Sequence, residues 1–458
     1  MVNFRKLTAG ALATTKALWK GGSPFAALTA LWPTNEEGKY TIESEGIRID
    51  FTTHGAAVTN LWLADKNGDE IDIVLGLDHA DMYLETDSNP YLNGIIGRYA
   101  GYINGASYEA DGIVHQLPAN AHNGSDTFNG GKRGWGRMDW AVPSKLQTDT
   151  ITFVMFDRSE NGFPGLFVGC ITHTVTPYEW HIGYGVTPLL MPGGPVNMAQ
   201  QVFFNLDGLK KTVNGTIGSI SDHKLHLPMS GMRFDFDSDG IPTGNILSNR
   251  KGEEYDFWSS PKTMKDALSG DSETSASGYD ETFMISHKYA DYSRRDKPVA
   301  VLSSENSGVT MEVYTDQDAI RVHTWDDEIN GKSYVFNVIF IHILLISNIV
   351  AGQLSLKRTQ GNGTVPQHGA VSLQQTDWPG AVNHPEWMNR KNLWGNLDIY
   401  TGYMAYKFKV DGKQIADKRA PIELPLSIVQ AIPDFHNLLR DPSNVGLTAR
   451  HFMFPLKI

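Results

Sequence analysis

The sequence predicts an all-β fold made of antiparallel strands. Three observations predict it. Apolar and polar residues alternate with period two through most of the chain, Gly-rich turns punctuate these runs, and helical periodicity is scarce after the first 30 residues. Many short strands joined by Gly-containing turns read as a β-sandwich or barrel.

The strand signals follow one another along the chain. TIESEGIRIDF (41–51) alternates cleanly. ASYEADGIVHQL (106–117) reads as two strands around Asp111-Gly112, a strong hairpin signal. TITFVMF (150–156), EWHIGYGVTPLL (179–190) and VTMEVYT (309–315) continue the pattern, and YMAYKFKVDGKQI (403–415) adds another Asp-Gly turn at Asp411. PVNMAQQVFFNLDG (195–208) reads as a single strand carrying adjacent amides, Gln200 and Gln201. Strand neighbours face opposite sides, so one of the two is expected to point inward.

Composition bounds the function classes. The chain has 458 residues, 41% apolar and 20% charged, enough for a sizeable core. A net charge of −12 without a Lys/Arg cluster argues against a nucleic-acid partner. The 11 Trp and 17 Tyr suit both sugar stacking and ordinary sandwich cores, the second being the stronger reading. The single cysteine, Cys170, excludes an intramolecular disulfide and a multi-Cys zinc site, and is expected to pack within a strand. No ligand-spaced His/Cys/Asp cluster implies a metal or cofactor.

Three domain segments are expected: a sandwich over 38–410, with extensions at 1–37 and 411–458. The first of these pairs Arg5 and Lys6 with a short, weak apolar run, Leu7–Ala13, interrupted soon after by Lys16. Sequons at Asn123, Asn214 and Asn362 matter only for a secreted chain; secretion and a cytoplasmic location weigh equally. Val335–Ala351 is almost wholly apolar but carries Asn337, His342, Ser347 and Asn348. It is too short and too interrupted for a membrane span and reads as two buried strands, with a retained intron as the other source of such text.

GDEIDIVLGLDHADMYL (68–84), YLNGIIGRYAGYINGASYEADG (91–112), FNGGKRGWGRMDW (128–140), GFPG (162–165), PVNMAQQVFFNLDG, GYDETFMI (278–285) and HGAVSLQQTDWPGAVNHPEW (368–387) are more specific than ordinary strand text. In this order and at these spacings the chain resembles the galactose mutarotase, or aldose 1-epimerase, family from about residue 40 to 409. The resemblance implies a large antiparallel supersandwich with an open sugar cleft and a small-molecule sugar or oligosaccharide as partner; with the composition and motif readings above, a monomer without a cofactor, nucleic-acid partner or membrane association is expected.

It also implies paired acid–base chemistry at the anomeric carbon, and there this chain departs from the pattern. The family's acid, a histidine in a Thr-Asn-His run, falls at Gln201. The family's base, a glutamate in Leu-Glu-x-Gln, falls at Gln374. An amide keeps hydrogen bonding but transfers no proton at neutral pH. A second family histidine falls at Asn129, an Asn-Arg pair at Gly101 and Tyr102, and a sugar-contacting glutamine at Arg321. The aspartate of Gly-Tyr-Asp is kept as Asp280, followed by Glu281 where a histidine is usual. Arg98 matches a family arginine and reads as structural, His368 matches a family histidine, and His323 replaces a tyrosine.

Each position has a plainer reading. Gln201 reads equally as a satisfied inward amide, Asn129 beside Gly130-Gly131 as a turn residue, Asp280 as a turn cap, Arg321 as a surface partner of Asp326 or Glu328, and Gln374 as an edge-strand residue. His122, His323 and His368 read as structural histidines. The joint pattern leads to a carbohydrate-binding member of the family, impaired or inactive in anomer interconversion, with Gln201, Gln374, Asn129, Asp280 and Arg321 at the cleft. Two alternatives stand beside it: an active epimerase with relocated acid and base, for which Glu281 and His323 are the available groups, and a relic without a ligand.

Overall fold

In the computed structural model, residues 33–411 are described except 85–91, 111, 144–147, 160, 191–192, 211–217, 269–277, 286–296, 326–348, 351–352, 355, 362, 388–392 and 395–398. The extension 411–458 beyond Asp411, most of 1–37, and the Val335–Ala351 run apart from Ile349 and Val350 lie outside the described residues. Ile349–Val350 pairs with Gln353–Leu354.

Two antiparallel sheets form the body. The larger has eight strands, in the order Thr150–Asp157, Leu166–Thr176, Glu179–Leu190, Tyr400–Val410, Val309–Thr315, Ala300–Ser303, Lys224–His226 and Lys262–Thr263. The second has six, in the order Phe203–Phe204, Val371–Thr376, Ala319–Thr324, Asp280–Met284, Met232–Phe236 and Pro242–Ser248. A four-stranded sheet precedes them, Tyr40–Ser44, Ile47–Phe51, Val58–Ala64 and Glu70–Asp72, each paired with the next. The expected all-β class is what the chain adopts, and the Ser107–Ala110 and Ile113–Gln116 strands form the expected hairpin.

Period-two alternation sets what each sheet buries. Val371, Leu373, Ile320, Val322 and Phe283 of the six-stranded sheet share one core with Met404, Tyr406, Phe408, Val313, Met311 and Leu302 of the eight-stranded sheet. Each such fully buried side chain is worth about 1.5–3 kcal/mol over exposure. One polar tie crosses this core: the Tyr406 hydroxyl donates to Gln375 Oε1 at 3.1 Å, while the Gln375 amide donates to Leu373 O at 2.6 Å.

Arg98 is structural. Its side chain is fully enclosed, with Nε donating to Asp157 Oδ2 at 2.9 Å and the guanidinium lying 4.1 Å from the Phe167 ring centre. Asp157 also accepts from Trp135 Nε1 at 2.9 Å. Cys170 lies in the Leu166–Thr176 strand, opposite Val154, and burial pushes its thiol up to about 12, which keeps it protonated.

The 195–208 stretch departs from expectation. Pro195 ends a short strand, Gly194–Pro195, paired with Leu393–Trp394, and two more short strands follow on different sheets: Ala199–Gln200 pairs with Ile96 and Ile95, and Phe203–Phe204 pairs with Ser372 and Val371. The chain changes partner at Gln201-Val202. The Gln201 N–H donates to Gly94 O at 3.3 Å and the Phe203 N–H to Asn93 Oδ1 at 2.9 Å. A side-chain acceptor thus replaces one rung of the ladder. Both glutamines are buried, Gln200 fully and Gln201 at 7% exposure, so strand alternation does not decide which of them is enclosed.

Candidate functional site

The face of the six-stranded sheet turned away from the core carries a polar array set by strand register. Asp280, His323 and Ser372 are direct cross-strand partners in one row; Thr282, Arg321 and Gln374 form the next. Cross-strand partners share a face with Cβ atoms roughly 4.5–5.5 Å apart. Residues nearly a hundred positions apart in sequence therefore become neighbours. A third row, Met284, Ala319 and Thr376, turns apolar. Its Met284 and Ala319 pack with Phe234, Phe236, Trp378 and Trp387.

Arg321 holds Asp280 with two parallel bonds, Nε to Oδ1 at 2.5 Å and a terminal nitrogen to Oδ2 at 2.7 Å. His323 Nδ1 lies 3.1 Å from Asp280 Oδ1, bent off the hydrogen-bond line. Enclosure by the surrounding protein raises the Asp280 carboxyl, but Arg321 and then His323 overcome this and hold it far below the ordinary carboxylate range. Its side chain still keeps 48% of its surface open, so this is an ionised acceptor that solvent or a ligand can reach. Tyr102 stands close enough for its phenol to feel both Arg321 and Asp280. Its ring stacks on His122 at 4.8 Å, whose Nδ1 lies 2.8 Å from Asp126 Oδ2.

Three atoms of the array are buried without a hydrogen-bond partner among the described residues, Gln374 Oε1, Ser372 Oγ and His323 Nδ1. Leaving such an atom unpaired costs about 1–3 kcal/mol, and an orphan acceptor or donor on a polar face is what a bound hydroxyl would satisfy. Gln200 Oε1, outside the array, is another such atom, although its amide nitrogen donates to Asn93 O at 3.4 Å.

Other residues singled out in the sequence sit differently. Asn129 has a left-handed backbone, φ 48°, and exchanges two bonds with Gly101: its N–H donates to Gly101 O at 3.0 Å, and its Oδ1 accepts from Gly101 N–H at 2.9 Å. That is the turn-residue reading. Asp280 opens a strand rather than capping a turn, and Arg321 pairs with it, whereas Asp326 and Glu328 lie outside the described residues. Gln374 is on an interior strand, not an edge. Glu281 alternates to the core-side face with Phe283; burial pushes its carboxyl up to about 7, Arg233 opposing and Asp280 reinforcing. It does not share a face with His323. His368 is a left-handed residue, φ 54°, whose N–H donates to Trp325 O at 2.6 Å. Ser372 escaped the sequence reading, though counting back two from Gln374 places it on the same face.

Among the described residues, no group of three His, Cys, Asp or Glu side chains is placed to hold a metal, and no helix is long and apolar enough to cross a membrane.

The family model described as aldose 1-epimerase matches residues 38–393. The chain belongs to the aldose 1-epimerase family. Among relatives of this family member, Epimerase FSL3 of Gibberella zeae is 48% identical over 425 residues, covering 88% of this chain and 92% of that protein. A probable aldose 1-epimerase of Arthroderma benhamiae is 28% identical over 372 residues, covering 76% and 80%. Galactose mutarotase of Bos taurus is 26% identical over 347 residues, covering 76% and 87%. Among solved structures, a GalM/aldose epimerase homologue from C. elegans aligns with a TM-score of 0.65 at 20% identity, covering 81% of this chain and 99% of its own. Galactose 1-epimerase from Lactobacillus acidophilus aligns at 0.61 and 17% identity, covering 82% and 97%. These structural likenesses give the galactose mutarotase-type sandwich.

Proposed function

We propose that this family member binds a hexose or oligosaccharide on the outer face of the six-stranded sheet and is impaired in anomer interconversion. The observation that carries the reading is Gln374 Oε1, buried without a hydrogen-bond partner beside the ionised Arg321–Asp280 pair. An amide and an ion pair on one face suit a polyhydroxylated ring. Neither Gln201 nor Gln374 can carry a proton between O1 and the ring oxygen. Gln201, at the change of sheet partner, makes only a backbone bond among the described residues.

Calorimetric titration with a sugar panel, alongside polarimetry on α-galactose and α-glucose, tests the reading. Millimolar or tighter binding with slow mutarotation is expected; an absence of binding at millimolar sugar overturns it.

A second reading, an active epimerase with relocated proton-transfer groups, is favoured by one observation: Asp280 and His323 share a face 3.1 Å apart. Epimerase FSL3, the relative at 48% identity, bears an epimerase name, which is consistent with it. On this reading Glu281 has no part, because it lies on the opposite face.

A further inference from the structure

We infer that His323, oriented by Asp280, is the general base that this surface retains. The inference rests on the sugar-binding reading above and assigns its residual chemistry to a residue outside the family's acid and base positions.

The two ring nitrogens of His323 have different surroundings. Nδ1 faces Asp280 Oδ1 at 3.1 Å, and Asp280 is itself fixed by the two bonds from Arg321. Among the described residues nothing hydrogen-bonds Nε2, and that atom is not sealed from solvent. The ring is braced edge-on by Phe203, 5.5 Å between centres, and its side chain is only 9% exposed. An imidazole with one nitrogen in ion-pair range of a carboxylate and the other nitrogen open is placed to take a proton, the carboxylate favouring the imidazolium that forms. Ser372 stands on the next strand in the same row, its buried Oγ awaiting a partner. Gln374 lies one row away, and its amide can hold a neighbouring hydroxyl without competing for the proton.

The step balances with water as the second reactant. His323 Nε2 accepts the proton of the anomeric O1–H, and the C1–O1 bond becomes a carbonyl. The C1–O5 bond breaks, its electron pair goes to O5, and O5 takes a proton from water. The imidazolium then returns its proton to the hydroxide so formed. Closure from the other face of the carbonyl runs the same steps in reverse. One positioned proton-transfer partner is worth typically about 10²–10⁴-fold. A base without its acid therefore gives a slow enzyme rather than an inert one.

The test uses the full-length protein with α-glucose and α-galactose, rates by polarimetry and affinities by calorimetry. The wild type is expected to exceed the spontaneous rate by at least about 10-fold. His323→Gln and His323→Ala are expected to fall to the spontaneous rate while Kd changes by less than about 3-fold. Added imidazole, corrected for its own catalysis in buffer, is expected to restore part of the His323→Ala rate and none of the His323→Gln rate. Asp280→Asn is expected to lower kcat more than it alters KM, with partial recovery in Asp280→Glu. Sugar binding with no rate above buffer, or a rate indifferent to His323, overturns the inference and leaves the binding reading standing. Failure of the wild type to bind any sugar overturns both.

Discussion

Arg321 reaches diagonally to Asp280 on the adjacent strand in a two-pronged ion pair, with nitrogen–oxygen distances of 2.5 and 2.7 Å. The pair fixes the charge of the one carboxylate in the array that solvent reaches. Arg321→Gln is expected to raise the Asp280 carboxyl toward the ordinary range, read by carboxyl-carbon NMR titration, and to weaken hexose binding by about 10-fold or more, about 1.4 kcal/mol. The sign for stability follows from the same shift. A depressed carboxylate contributes stability above its unfolded value, near ~4, and loses it as pH falls through the folded value. Arg321→Gln should therefore flatten the acid side of the stability profile.

The two amides invite restoration. Gln374→Glu would place a carboxylate beside Arg321, which favours its ionised form, and Gln201→His would supply an imidazole at the family's acid position. The double variant is expected to gain roughly 10²–10⁴-fold for each partner that engages, measured by polarimetry on α-galactose. No gain in a folded, sugar-binding double variant would mean that these positions do not converge on the ring.

Asn129 separates structure from binding. Asn129→Gly keeps the left-handed backbone and the backbone bond to Gly101 O but loses the side-chain bond from Gly101 N–H, an expected cost of about 0.5–1.5 kcal/mol. Asn129→Ala adds the steric cost of φ 48° and should be less stable than the glycine variant. Denaturant unfolding reads both. Sugar affinity should change little in either, since the amide oxygen already serves Gly101.

Glu281 gives the opposite pH signature to Asp280. Its carboxyl is raised from 4.5 to about 7, so the folded state binds a proton that the unfolded state has released. Stability from this group is present below about 4.5 and declines as pH rises to about 7. Glu281→Gln should be more stable than the wild type at pH 8 and close to it at pH 4, followed by thermal unfolding at the two pH values.

Arg98 and Asp157 form an enclosed ion pair of the scaffold, with side-chain exposures of 0% and 3%. Arg98→Met strands the Asp157 charge and is expected to cost about 3–5 kcal/mol. A smaller loss in Arg98→Met with Asp157→Asn would show that the stranded charge, rather than lost packing, carries most of the penalty.

Much of the fold was legible because strand period and turn chemistry are local. Glu179–Leu190, Val309–Thr315 and the hairpin at Ser107–Gln116 could be read residue by residue. The change of sheet partner at Gln201 could not, since it depends on Gly94 O and Asn93 Oδ1, about a hundred residues away. The array was half legible. Motif spacing brought forward Asp280, Arg321 and Gln374, but which residues stand opposite one another is a property of register. Glu281 shows the gap: adjacent to Asp280 in sequence, it lies on the other side of the sheet. Ser372 entered only through its place across from His323.

That dependence on register makes the surface tolerant in one respect and brittle in another. A single exchange at 280, 321, 323, 372 or 374 leaves the strand alternation that builds the layer beneath in place. Losing one residue inside the 319–324 strand would turn Arg321 and His323 inward and push Ile320 and Val322 into water. Lineages carrying this architecture should therefore diversify here by substitution and confine insertions and deletions to the connecting loops.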